Sequence, residues 1–220
     1  MDSIRQPRKA ALILRGMDPS DPDLAALLAG TAAETGEQFF ATLVENLARA
    51  LGTSGAWVTD YRMDAERLRS FALWINGKAV SDFEYELAGT PCERVVRENR
   101  IVHVPERLLD LYPHHPHLRT FGAVSYLGVP LADLDGSVMG HLAVLDARPM
   151  PENPRALAVM RIFAARARAE IQRLRREAEL LRFVDGALVE SEPLRAGRGR
   201  RVAAPLIPRD GPHRARGSGG

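Results

Sequence analysis

Apolar positions along the chain follow two periods, and each change of period marks an element. Phe40, Leu43, Leu47 and Leu51 recur at helical spacing up to Gly52. The preceding T-G-E-Q predicts a capping box, with Thr35 as N-cap and Gln38 three residues on. Residues 56–61 and 67–75 then read as strands, Asn76-Gly77 as a tight hairpin turn, and residues 79–87 as a third strand. G-T-P-C-E predicts a helix to about Asn99, with Thr90 as N-cap, Pro91 in its first turn and Glu93 closing a second capping box. A short strand at 101–104, a short helix at 105–111 and a loop held by the prolines of Y-P-H-H-P-H follow.

Residues 123–146 hold two apolar runs joined by D-L-D-G, which predicts a β-hairpin whose strands are apolar on both faces and therefore sit mid-sheet. Pairing Leu131 with Ser137 sets Val129 opposite Met139, Leu127 opposite His141 and Ser125 opposite Ala143. Strand alternation then puts Ser125 and His141 on one face, and Tyr126, Gly128 and Gly140 on the other. Asn153-Pro154 predicts the start of a last helix. Along it Leu157, Met160, Ala164, Ala167, Ile171, Leu174, Ala178 and Leu181 repeat at alternating spacings of three and four, a heptad seam. Its first half is expected to pack on the sheet as well; its second half, R-L-R-R-E-A-E-L-L-R, has only the seam and implies a partner helix.

The chain of 220 residues is 45% apolar and 26% charged, ordinary for one sizeable core with flanks. The organisation expected is a flexible segment over 1–33, a domain over 34–152, an exit helix over 153–185 and a disordered tail over 186–220. From Pro193 on there are seven arginines against Asp210 alone, a local +6, which leaves −4 of the overall +2 for the rest. A basic nucleic-acid face on the folded part is therefore not expected, and only the tail qualifies as a basic arm. The tail reads either as a natural low-complexity arm or as the product of a frameshift that removed an output domain. A single cysteine, Cys92, rules out an internal disulfide framework. With no secretory signal pattern and no long apolar run, a cytoplasmic protein with no membrane association is expected.

Three motifs, G-T-P-C at Gly89 to Cys92, S-Y-L-G-V-P-L at Ser125 to Leu131 and D-G-S-V-M-G-H-L-A-V-L-D at Asp135 to Asp146, occur in an order that resembles the GAF domain family over roughly residues 34–182. The resemblance implies an α+β fold: a central antiparallel β-sheet flanked by helices, with a long C-terminal coiled-coil helix. It further implies a small-molecule sensor of bacterial signal transduction, dimeric through residues 157–181. Its signal would pass to a kinase, cyclase or transcriptional output domain on another chain or lost from this one. The Asn-Lys and Phe-Asp-Glu residues of the cyclic-nucleotide-binding members are missing, and the cysteine and histidine context of bilin photoreceptors is not matched. No particular cofactor is indicated. A ligand-free dimerisation scaffold, or a binder of nucleic acid or acidic partners through the tail, are the competing readings.

By the same resemblance one sheet face takes the ligand, here the Ser125 and His141 face, and the other, with Gly128 and Gly140, receives closely packed helices. His141 is an imidazole on an apolar strand, suited to ligand contact, haem ligation or titration near neutral pH, or to a plain core role with a backbone carbonyl as partner. His114, His115 and His117 lie on the Pro-constrained loop, read as a lid or solvated segment rather than a metal site. Cys92 stands at a helix N-terminus, where a thiol is activated, or is simply a small buried hydrophobe. The free methionine sulfoxide reductase of this fold works with a resolving cysteine, which is missing here. Tyr112 and Phe121 flank the loop that the resemblance makes the pocket roof, and Phe83 belongs to the aromatic stock for a pocket or core. The candidate ligand-binding set is thus Phe83, Cys92, Tyr112, His117, Phe121, Ser125 and His141, with no metal site and no catalytic machinery expected.

Overall fold

A computed structural model describes residues 34–191, with the side chains of Pro116 and of 184–191 excepted. The expected flexible segment over 1–33 and the tail from residue 192 lie outside the described residues. Helix α1 (Gly36–Leu51) is followed by strands β1 (Gly55–Arg62), β2 (Arg67–Ile75), β3 (Lys78–Val80) and β4 (Glu84–Glu86). Helix α2 (Pro91–Arg97), strand β5 (Val102–Val104) and short helices α3 (Leu108–Leu111) and α4 (Pro116–Thr120) lead to the hairpin β6 (Ser125–Ala132) and β7 (Val138–Asp146). Helix α5 (Pro154–Ser191) ends the described chain, six residues past the expected boundary at 185. Among the described residues, those up to Glu177 belong to one compact unit and those from Ala178 to a second.

The sheet runs β3-β2-β1-β7-β6-β5, antiparallel throughout, with β4 also on β2. The predicted third strand is split: β3 pairs with one end of β2 and β4 with the other, and Asp82 between them has a positive φ of 53°. β6 and β7 are interior strands, buried along nearly their whole length, as their double-sided apolar pattern requires. α1 and α5 cover one face, where Phe40, Leu43 and Leu47 meet Leu127, Val129, Leu142 and Val144 together with Met160, Phe163, Ala167 and Ile171. α2 and the connection from β5 to β6 cover the other, where Val95, Leu108 and Leu118 pack against Trp57, Leu73, Tyr126, Ala143 and Leu145.

The caps follow local sequence where their partners are local. The Thr90 hydroxyl accepts from the Glu93 amide (3.1 Å), while the Glu93 carboxylate accepts from Gly89 (2.8 Å), one residue short of the reciprocal bond expected. The Asn153 carbonyl oxygen of the side chain caps α5 by accepting from the amides of Arg155 and Ala156 (2.9 and 3.3 Å). The box predicted at Thr35 does not form. Its hydroxyl caps nothing, and the Gly36 amide donates instead to Glu170 of α5 at 2.6 Å.

The hairpin register differs from the one predicted by three residues. Ser125 pairs with Asp146, Leu127 with Val144 and Pro130 with His141, and a bulge follows Leu131. An odd slip exchanges the two faces of one strand relative to the other. Ser125 therefore does not share a face with His141, which lies on the α2 side with Tyr126 and Gly128. Gly128 keeps the role expected of it, since a Cβ there would meet the Tyr126 hydroxyl and Val95 Cγ2 of α2. Gly140 makes room not for a helix but for the backbone of β1, whose Thr59 carbonyl, at a bulge between Val58 and Thr59, lies against its Cα.

The seam of α5 is divided by burial. Met160, Ala164, Ala167 and Ile171 are spent in the domain's own core, with Leu174 packed at its margin. This first half packs on the sheet as expected, and those four side chains are not available to a partner helix. Leu180, Leu181 and Phe183 are exposed.

Candidate functional site

The α2 side of the sheet gathers aromatic and polar side chains from elements far apart in sequence. Trp57 of β1, Phe83 before β4, Cys92 in the first turn of α2, His115 and His117 around the start of α4, and Phe121 after it enclose a cavity of about 20 Å³. That volume is room for a single water. Phe83, His117 and Phe121 form a half-buried ring cluster with centroids 4.8 to 6.1 Å apart, closing the cavity from outside. Tyr85, His115 and His117 also line an adjoining open groove of about 380 Å³, with Arg67, Glu84 and Thr90 on its walls. Arg67 is held there by Glu84 at 2.6 Å.

Beneath the rings runs a buried polar chain. The Trp57 indole N–H donates to the Tyr85 hydroxyl (3.2 Å), which donates to Cys92 Sγ (3.4 Å), and the Tyr126 hydroxyl donates to the same sulfur (3.5 Å). Burial pushes the Cys92 thiol up, against the two hydroxyl donors and any help from the helix terminus, so it stays protonated. Tyr85 and Tyr126 are likewise driven well above the ordinary phenol range by burial and by the neighbouring sulfur. The cluster is thus a set of neutral hydroxyl and thiol groups under an aromatic lid.

His141 lies deeper on the same face. Trp57 meets its ring edge-on at 6.1 Å, and it does not reach the cavity. Its Nδ1 is 2.6 Å from Thr59 Oγ1, which also accepts the His141 amide (3.2 Å). Thr59 and Nδ1 are hydrogen-bonded in either neutral tautomer, the hydroxyl also lying 3.4 Å from the His141 carbonyl, and Nε2 finds no partner among the described residues. The partner of the imidazole is a hydroxyl, not the backbone carbonyl expected. Burial drops its pKa to about 3 and keeps it neutral. His115 is pushed to about 4 by burial and by nearby His117, and its Nδ1 accepts the Leu118 amide at 3.4 Å.

Of the seven candidates, Phe83, Cys92, His117 and Phe121 meet at the cavity. Tyr112 packs half-buried at the edge of the same core, with Arg94 on its hydroxyl. Ser125 is buried at the end of β6, where its hydroxyl donates to the Arg148 carbonyl (2.7 Å) and plays no part in the cavity. Trp57, Tyr85 and His115 were not among the candidates. Their signal was weak: an aromatic on a strand reads as core, and His115 is separated from Tyr85 by a loop whose folding the sequence does not announce. Among the described residues no group of three or more histidine, cysteine or acidic side chains is placed to hold a metal ion, and no helix is long and apolar enough to cross a membrane.

An antiparallel sheet with two long helices on one face and short helices over a small aromatic-lined cavity on the other defines an α+β sandwich class. The GAF domain family profile matches residues 35–171, and the chain belongs to that family. Among solved structures it is similar to a GAF domain of a phosphoenolpyruvate-protein phosphotransferase from Acinetobacter (TM-score 0.59, 18% identity, 71% of this chain and 95% of that one). The corresponding domain from Coxiella burnetii aligns with TM-score 0.56 at 17% identity, covering 80% of this chain and 99% of that one. Free methionine-R-sulfoxide reductase from Neisseria meningitidis, solved with its substrate, aligns with TM-score 0.53 at 19% identity (78% and 96%). These likenesses define the fold. No curated protein matches the sequence.

Proposed function

We propose that the chain is a small-molecule-sensing GAF module of a cytoplasmic bacterial signal-transduction protein, its ligand entering beneath the Phe83, His117 and Phe121 rings. The observation that carries this reading is the lid itself. Tyr85, His115 and His117 line both the 20 Å³ cavity and the 380 Å³ groove, and the half-buried His117 ring packs against those of Phe83 and Phe121. Rotation of these rings joins the two spaces, and side-chain rotation is a small cost beside the area a ligand buries there. The signal leaves through α5, which packs on the opposite face of β6 and β7. Exposed Leu180, Leu181 and Phe183 support self-association through the end of that helix and transmission to an output domain on another chain. The reading assigns no catalysis: the one thiol is buried and held protonated.

The competing reading, a ligand-free scaffold, draws on the cavity's size as it stands. Native mass spectrometry of the purified chain with a thermal-shift screen across metabolite classes separates the two. A retained or stabilising small molecule whose effect is lost in Phe121→Ala and His117→Ala supports sensing. No bound species and no shift across the screen establishes the scaffold instead.

A further inference from the structure

On the other side of the sheet, the flank of α1 facing β2 and β3 borders an open groove of about 810 Å³. Between polar walls that include Glu37, Glu45 and Arg69, its floor has an apolar strip: Phe71, at the β2 bulge, stacks on Phe40 of α1 at 4.6 Å, and beside it Ala72 and Trp74 are half-buried. α1 covers these rings only in part, through Phe40, and both Phe71 and Trp74 stay half-buried although α1 and α5 lie on this face. An aromatic floor left open on a sheet face otherwise sealed by helices asks for an occupant.

The chain supplies one close by. The described residues begin at Glu34, and Gly36, pinned through its amide to Glu170, itself lines the groove. The polypeptide preceding α1 therefore starts from the groove's wall. In that preceding stretch Leu24, Leu27 and Leu28 form the i, i+3, i+4 face of a helix-period pattern, with Asp21-Pro22 in front of it and Gly30 behind. Asp-Pro before an apolar run is the same start signal that Thr90-Pro91 and Asn153-Pro154 carry in this chain. From Glu34 back to Leu28 is six residues, a reach of roughly 20 Å when extended, enough to cross the groove. We infer that this groove is the docking surface for the chain's own apolar segment at residues 24–28, with the three leucines on Phe71 and Trp74. A second copy is the alternative occupant; the short tether gives the cis segment the higher effective concentration.

Trp74 reports on the question directly, because the other tryptophan, Trp57, is 6% exposed and hidden from quencher. In the full chain, acrylamide quenching of Trp74 is expected to be weak, unchanged on dilution, and severalfold stronger in the double variant Leu27→Asp, Leu28→Asp. Equal quenching in parent and variant overturns the inference. Quenching of the parent that rises on dilution also overturns it, in favour of a second copy. A crosslink provides the readout that a misfolded variant cannot imitate: Leu28→Cys with Ala79→Cys is expected to form an intramolecular disulfide in dilute solution. Its failure to form, or formation only between chains, rejects the cis segment.

Discussion

His141 offers the sharpest quantitative test, because its imidazole is buried beneath Trp57, bonded only through Nδ1 to Thr59, and held neutral with a pKa of about 3. In the unfolded chain a histidine takes up its proton near pH 6.5, so between pH 6.5 and 3 the unfolded state binds a proton that the folded state refuses. The stabilisation is complete above pH 6.5 and is lost as the pH falls through that window. Between pH 7.5 and 5 this one group removes about 2 kcal/mol of folding stability. The carboxylates held low in the fold, such as Asp146 and Glu170, contribute only about 0.1 kcal/mol each over the same interval, since their unfolded counterparts are still ionised at pH 5. His115 shifts in the same direction, but its partial exposure reduces its share to about 1 kcal/mol or less. The variant to compare is His141→Leu, which removes the imidazole and leaves the Thr59 hydroxyl bonded to the amide and carbonyl of residue 141. Urea unfolding of both proteins at a series of pH values gives the comparison. The parent should lose about 2 kcal/mol more than the variant between pH 7.5 and 5. Parallel curves over that range would show that His141 is not desolvated as the structure has it.

The two glycines of the hairpin should separate by the nature of what they touch. Gly140→Ala drives a methyl into the Thr59 carbonyl of a neighbouring strand, which cannot rotate away, and should cost about 3 kcal/mol or more in chemical denaturation. Gly128→Ala meets the Tyr126 ring and Val95, side chains that can give, and should cost about 1 to 3 kcal/mol; an equal or reversed order contradicts the bulge geometry. Asn153→Ala leaves the Arg155 and Ala156 amides uncapped and should lower stability by about 1 kcal/mol, whereas Asn153→Asp should keep it. Leu181→Asp with Phe183→Asp, both at exposed positions, should abolish self-association in analytical ultracentrifugation while changing the thermal midpoint little.

What could be read from the sequence was local, and what could not was decided by partners far along the chain. Asn76-Gly77, Thr90-Pro91 and Asn153-Pro154 each sit where the sequence predicts, because the residues that satisfy a turn or a cap lie within four positions. Gly36 finds its acceptor in Glu170, 134 residues on, and no window around Thr35 contains that information. The hairpin register failed for a different reason. Alternation reveals register only when one face is polar, and β6 and β7 are buried on both, so a slip of three leaves the apolar pattern equally satisfied. The slip nevertheless separates Ser125 from His141 and so redraws the candidate site. The heptad seam is ambiguous in the same way. A run of apolar residues at spacings of three and four fits the domain's own sheet as well as it fits a second helix, and up to Ile171 the sheet takes it. The distinguishing signal was in the flanks. Through Phe163 and Ala164 the apolar face is wide, as packing on a sheet demands, while from Arg173 charged residues close in on both sides until only isolated leucines and Phe183 remain. A narrow seam cannot bury itself on a sheet, so the point where the stripe narrows marks where the burial of α5 against its own domain ends.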